Sequence, residues 1–178
     1  LYVDSVGTLC MVLVQPLKID GVKWAQVIKI NLEEILANEG ADGSSLFKDF
    51  ADESGFKDLF LIQNDGYIFY TVLREADYHT NINNGEYANS QFLAVFRKVL
   101  ETGQTVISDF APYAPSNGLP FSFLAQPVMK DGEVQYIVAI QMSPDSINKI
   151  VKQRAGMGET GQCYIVGSDN KMRSRTFL

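Results

Sequence analysis

The chain has 178 residues, 46% hydrophobic, 20% charged and 11% aromatic, with fifteen Lys and Arg against twenty-one Asp and Glu for a net charge of −6. These proportions exclude a disordered or low-complexity chain and leave enough apolar material for one core of ordinary domain size. The acidic excess, with no basic run in the sequence, excludes the electrostatic footprint that holds a nucleic-acid backbone.

Residues 9–14, Leu-Cys-Met-Val-Leu-Val, form the longest apolar run. The run is too short to cross a bilayer and no basic n-region of a signal peptide precedes it, so the sequence reads as a soluble piece. Alternating residues around Asp20-Gly21 predict a first β-hairpin, with strands at 7–18 and 22–31. A helix is predicted over 31–38, with Leu32, Ile35 and Leu36 on one side, and a short one over 44–50. Asp65-Gly66 joins a second hairpin, 58–63 with 67–73. A long excursion follows over 74–116, rich in Tyr, Asn and Gly, and carries a helix at 90–101 with Phe92, Val95, Phe96 and Val99 on one face. Asp131-Gly132 joins a third hairpin, 121–130 with 134–142. Pro144 then suits the first turn of a helix over 144–154, and Asp145 suits its dipole. A fourth hairpin, 162–167 with 171–176, is predicted to turn at Ser168-Asp169-Asn170.

Laid on itself, the chain repeats. Gln15-Pro16-Leu17, Asp20-Gly21, Trp24, Ile28, Ile30 and Ile35 match Gln126-Pro127-Val128, Asp131-Gly132, Tyr136, Ile140, Met142 and Ile147, with one slipped residue after the turn. Leu59-Phe60-Leu61-Ile62 with Asp65-Gly66 and Ile68 likewise resembles Cys163-Tyr164-Ile165-Val166 with Asp169-Asn170 and Met172. The expected organisation is one complete module over 46–154, flanked by the closing half of a neighbour at 1–38 and an opening hairpin at 156–178. These outer halves would complete a second sheet within one chain or between chains.

A β-hairpin, a helix-bearing excursion, three more antiparallel strands and a closing helix predict an α+β domain: a PAS-like five-stranded antiparallel sheet with flanking helices, one face covered by the excursion. Loops of such composition on a rigid sheet are more often binding surfaces than spacers. Catalytic vocabulary is thin. His79 stands alone in an Asn-rich stretch, and no nucleophile elbow, P-loop or dinucleotide fingerprint occurs. Cys10 and Cys163 fit either a bridge or two thiols, and one His makes no zinc site. No enzyme activity, cofactor or metal is expected.

The segments Gly55-Phe56-Lys57-Asp58-Leu59-Phe60-Leu61-Ile62, Phe69-Tyr70-Thr71-Val72, Glu75-x-Asp77-Tyr78-x-Thr80-Asn81, Gly85-x-Tyr87, Asp109-Phe110-x-x-Tyr113-x-Pro115-Ser116 and Gly158-Glu159-Thr160-Gly161 occur in this order. Together they resemble the Cache, or PAS-like extracytoplasmic, sensor domains of bacterial methyl-accepting chemotaxis proteins, sensor histidine kinases and cyclases. The resemblance covers about residues 46–178, and residues 1–38 resemble the closing half of the membrane-proximal module of double-Cache receptors. It implies a ligand-binding sensor on the periplasmic side of the inner membrane, part of a membrane-anchored receptor, monomeric or homodimeric, that signals through helices. The sequence departs from the family in lacking the long N-terminal helix. It also lacks the Arg, Trp and Asp arrangement of amino-acid receptors, since its only Trp is Trp24.

A pocket between sheet and excursion needs a few polar groups on aromatic walls. Tyr70, Tyr78, Asn81, Tyr87, Ser90, Asp109, Tyr113 and Ser116 supply hydroxyls, amides and one carboxylate, and Arg74 suits an anionic ligand such as an organic acid. Each has a plainer reading. Tyr70 fits a core strand position, Asp109 and Ser116 fit turn caps around Pro112 and Pro115, and Arg74 fits an exposed surface. Ala139 beside Gln141 is compatible with a cavity floor. The basic residues of 169–175 fit an anion site or, more simply, a solvated face. Against a receptor module stands a dimerisation or relay module that binds no ligand. A cytoplasmic cofactor sensor is disfavoured by the absence of a suitably placed His or Cys.

Overall fold

The computed structural model describes residues 2–3, 9–19, 22–36, 46–152 and 155–176. The Asp20-Gly21 turn lies outside them, as do residues 7–8, 37–38, 44–45 and 153–154 of the predicted elements. The chain divides into two compact units, Leu1–Asp49 and Phe50–Leu178.

In the first unit, β1 (Tyr2–Val3), β2 (Leu9–Ile19) and β3 (Val22–Asn31) form an antiparallel sheet in that order, followed by α1 (Leu32–Leu36). The register pairs Met11 with Ile30, Leu13 with Ile28 and Leu17 with Trp24. Cross-strand partners share a face, so these six side chains make one apolar face, and all six are exposed.

Helix α2 (Leu46–Ser54) leads into the second unit, whose sheet is built from β4 (Asp58–Gln63), β5 (Ile68–Thr71), β6 (Val106–Ile107), β7 (Ala111–Tyr113), β8 (Leu119–Lys130) and β9 (Glu133–Met142). The order is β5-β4-β9-β8-β6, every pairing antiparallel. β7 pairs with the first residues of β8 and β6 with Leu124 and Ala125, so the two act as one broken strand. The β8–β9 turn has positive φ at both Asp131 and Gly132, 53° and 83°, as a type I′ hairpin requires.

Alternation along the strands sorts the core. Phe60 and Ile62 on β4, Phe121, Phe123 and Ala125 on β8, and Ile137 and Ala139 on β9 face α3 (Gln91–Thr102). That helix returns Phe92, Val95, Phe96 and Val99 at helical spacing. The Ser90 hydroxyl caps it by accepting from the Leu93 N–H, and Gly103 closes it in the left-handed conformation. Phe92 stacks on Phe123 with centroids 4.1 Å apart and meets the edge of Phe60 at 5.0 Å. On the opposite face, Leu59, Leu124, Val128, Val138 and Ile140 line a shallow groove with Phe50 and Phe56. α4 (Pro144–Val151) follows β9 after one residue.

The fourth predicted hairpin forms only as a short piece around its predicted turn. A single bridge joins Val166 and Met172, flanked by bonds from Gly167 N–H to the Lys171 carbonyl and from Arg173 N–H to the Ile165 carbonyl. Tyr164, Ile165, Val166 and Met172 all remain exposed, so no buried face rewards a longer ladder.

Candidate functional site

The apolar face of the sheet ends in a polar rung. Asp58 on β4 pairs across the strands with Gln141 on β9, which pairs in turn with Phe123 on β8. Asp58 and Gln141 are both 0% exposed. The Asp58 carboxylate is held by one oxygen: Oδ1 accepts from the backbone N–H of Leu59 at 2.7 Å, Val72 at 2.8 Å and Leu73 at 3.2 Å. It thereby pins the point where the chain leaves β5 for the excursion.

The excursion supplies the opposite wall with Glu75, Asp77, Tyr113 and Ser116. Tyr113, wedged edge-on against Phe92 and Phe123, donates its hydroxyl to Asp77 Oδ2 at 2.5 Å. Ser116, on the single 3-10 turn after β7, donates to Glu75 Oε2 and accepts from Gln141 Nε2 at 2.9 Å. Lys57 Nζ lies 3.7 Å from the other oxygen of Glu75 and is partly exposed. Within this cluster three buried atoms have no hydrogen-bond partner among the described residues: Asp58 Oδ2, Asp77 Oδ1 and Gln141 Oε1. All three are acceptors.

The electrostatics follow from burial. Loss of solvent pushes Asp58 up to about 6, against the pull of its three backbone donors and with the repulsion of Asp77. Asp77 is also raised by burial, although the Tyr113 hydrogen bond lowers it. Burial and the neighbouring carboxylates raise Tyr113, which therefore stays a phenol donor. Three carboxylates thus face one half-solvated lysine, an arrangement that favours a positively charged or hydrogen-donating guest.

Of the residues nominated from sequence, the fold brings Tyr113 and Ser116 into this cluster. The others lie elsewhere. Tyr70 is buried but pairs with Leu61, on the face of the sheet opposite Phe60 and Asp58. Arg74 is exposed with φ 51°, its guanidinium 5.5 Å from the Tyr78 ring centroid, and Tyr78 stacks on His79 at 3.9 Å. Asn81 braces the Asp65-Gly66 turn, donating to the Asp65 carbonyl and accepting from the Asn83 N–H. Tyr87 is half-buried ahead of α3, and Ser90 is the cap of that helix.

Asp109 is engaged by Arg173, whose Nε and Nη2 lie 2.6 Å from its two oxygens; Nη2 also lies 2.8 Å from Asp169. The guanidinium holds Asp109 below the usual range, and Asp169 is lowered first by the Lys171 backbone N–H it accepts and then by the guanidinium. The basic side chain at the centre of the 169–175 stretch is thereby saturated by the protein's own acids. A cavity of about 410 Å³ lies beside it, lined by Phe110, Pro144, Asn148, Lys171 and Arg175 among others.

Sequence reasoning passed over Asp58, Glu75 and Asp77 as site residues. Asp58 carried a signal: it opens an otherwise apolar strand, Leu59-Phe60-Leu61-Ile62, where an unpaired charge needs a reason.

Sheet order and excursion give the chain the fold of the Cache-type ligand-binding sensor domains. In particular, the chain is similar to the sensory domain of the Campylobacter jejuni chemoreceptor Tlp3, with a TM-score of 0.53 and 13% identity over 82% of this chain and 54% of that one. It is similar also to the ligand-binding domain of the Pseudomonas fluorescens chemoreceptor CtaA in complex with L-leucine, with a TM-score of 0.50 and 17% identity over 80% and 56% of the two chains. At such identities the likeness is one of fold, and the chain spans little more than half the length of either structure. By sequence it matches no protein-family model and no curated protein. Among the described residues, no helix is long and apolar enough to cross a membrane.

Proposed function

We propose that the chain carries the ligand-binding sensor module of a bacterial transmembrane receptor, a chemoreceptor or sensor kinase, on the extracytoplasmic side of the membrane. It binds a small polar metabolite where excursion and sheet meet, passes occupancy on through α4 and performs no chemistry. The observation that carries this reading is the buried polar rung at Asp58 and Gln141, facing Asp77, Tyr113 and Ser116 and holding three unpartnered acceptors. Buried polar atoms are ordinarily satisfied, so such a group in one place suits a site completed by a guest. The crystallised CtaA neighbour, which holds L-leucine, supports a guest of metabolite size. In this reading residues 46–154 form the complete module, and residues 1–38 and 156–178 are halves of a neighbouring one.

Thermal denaturation against a panel of organic acids, amino acids, sugars and purines tests the reading, because a ligand that binds only the native state raises the melting temperature. A hit abolished by Ser116→Ala supports it. A second reading, a dimerisation module without a ligand, is favoured by the exposed apolar face of Met11, Leu13, Leu17, Trp24, Ile28 and Ile30. Silence across the panel together with a dimer in solution selects that second reading.

A further inference from the structure

Resting on the reading of residues 1–38 and 156–178 as halves of a neighbouring module, we infer that β3 is a docking edge for a second copy of this chain, whose segment 163–166 adds to it as an antiparallel strand. The second unit supplies the template. There β9 has a neighbour on each side, β8 and β4. β2 and β3 match β8 and β9 in sequence, through Gln15-Pro16-Leu17, Asp20-Gly21, Trp24, Ile28 and Ile30. β1 also pairs with the first residues of β2 as β7 pairs with the first residues of β8. Beyond β3 the likeness stops: among the described residues, no strand takes the place beside β3 that β4 takes beside β9. An open edge between apolar side chains is a template for another strand.

The matching strand lies near the end of the chain. Residues 163–166 match Leu59-Phe60-Leu61-Ile62 of β4, and the bridge from Val166 to Met172 stands where β4 pairs Ile62 with Ile68. This short ladder uses one edge only. Ile165 donates to Ser174 and accepts from Arg173, and Gly167 donates to Lys171. Strand geometry turns the N–H and C=O of Tyr164 and Val166 to the other edge, where they bond to nothing among the described residues. Carried across the repeat, the β4–β9 register places Cys163 opposite Ile28, Tyr164 opposite Val27, Ile165 opposite Gln26 and Val166 opposite Ala25. Cys163 and Ile165 then extend the exposed face of Met11, Leu13, Ile28 and Ile30, while Tyr164 and Val166 join Val14 and Val27 on the other. In the folded chain both edges stand open, so each copy offers a strand and a place for one. Two copies that exchange these segments fill both places in a single two-fold, closed contact.

Ile28→Cys tests the register, because the inferred pairing sets it opposite the native Cys163 at a distance a disulfide spans. The variant is made in the whole 178-residue protein; isotope-labelled and unlabelled chains are refolded together and oxidised, and the linked peptides are mapped by mass spectrometry. The expected product joins position 28 of one chain to Cys163 of another, with mixed label. It should form several-fold more completely than the link from Val27→Cys, whose side chain points to the opposite face. A link confined to single chains overturns the second copy and leaves the reading of the two halves standing. Equal links from both positions overturn the register, and no link from either overturns the pairing and the two halves together. Tyr164→Pro is the second variant: Tyr164 is exposed, and proline removes its outward N–H without touching the core. Sedimentation velocity is expected to find the wild type dimeric and this variant monomeric at the same concentration, with unchanged far-ultraviolet circular dichroism. A wild type that stays monomeric at every concentration, or a variant that dimerises equally well, overturns the proposal.

Discussion

Asp58 couples the stability of the second unit, Phe50–Leu178, to pH in a direction opposite to that of most carboxylates. Folding buries its carboxyl and lifts it from an ordinary 3.8 to about 6, so the folded state binds its proton more tightly than the unfolded chain does. The contribution is fully present below about pH 4 and is lost as pH rises through about 6. At about 1.4 kcal/mol per pH unit, the loss comes to about 3 kcal/mol. Asp58→Asn isolates this contribution, because it keeps the oxygen that accepts from Leu59, Val72 and Leu73 and removes only the charge. Urea unfolding followed by far-ultraviolet circular dichroism, from pH 4 to pH 8, should show the variant gaining on the wild type by about 3 kcal/mol between pH 4 and 7, with a plateau above. Parallel profiles would refute the assignment, as would a wild type that gains on the variant with rising pH. Asp58→Ala, which strips three backbone donors of their acceptor, should be destabilised across the whole range.

Phe92→Ala removes a ring packed on Phe60 and Phe123 and is expected to cost about 3–5 kcal/mol, read from the shift in urea midpoint. Ser90→Ala, which deletes the cap of α3, should cost about 1 kcal/mol in the same assay. Arg173→Ala unties Asp109 and Asp169, and hydrogen exchange at Gly167 and Arg173 should accelerate while the amides of β9 keep their protection. Because Arg173 holds Asp109 below the ordinary range, and the Lys171 N–H with Arg173 does the same for Asp169, that acceleration should also appear in the wild type on acidification below about pH 4, where the carboxylates protonate.

The hairpins were legible because their turns carry their own geometry. Asp131-Gly132 takes positive φ at both positions, which few other pairs of residues tolerate. The helix at 90–101 was legible because four apolar residues at helical spacing follow a serine cap. β6 and β7 left little trace: two and three residues long, with Pro112 among them, they show no alternation to read. The final hairpin is shorter than its pattern suggests, because Tyr164, Ile165 and Val166 have strand character without a face to bury. For the candidate site, Tyr113 and Ser116 were nominated through chemistry that looks useful in any loop, and the fold places both in the polar cluster. Glu75 and Asp77 were passed over because acidic loop residues usually mean solvated surface. Their burial follows from the arch of the excursion over β4 and β9, which local patterning does not encode. Tyr70 lies on the other face of the sheet: the register Leu61 to Tyr70 turns it away from Asp58.

Gln141 reaches the polar cluster with its side chain, and three residues later Pro144 begins α4. The connection is about 10 Å of nearly extended backbone. Neither Met142 nor Ser143 is a glycine or has a positive φ, so the link behaves as a strut rather than a spring. At its far end the Ser146 hydroxyl is fastened to the Gly55 carbonyl at 2.6 Å, while the Lys57 N–H is fastened to the Gln141 carbonyl at 2.8 Å. Strut and two fasteners close a small loop of bonds through the segment just before β4. Under the proposed sensor reading, a displacement of Gln141 therefore loads the first turn of α4 and that segment together.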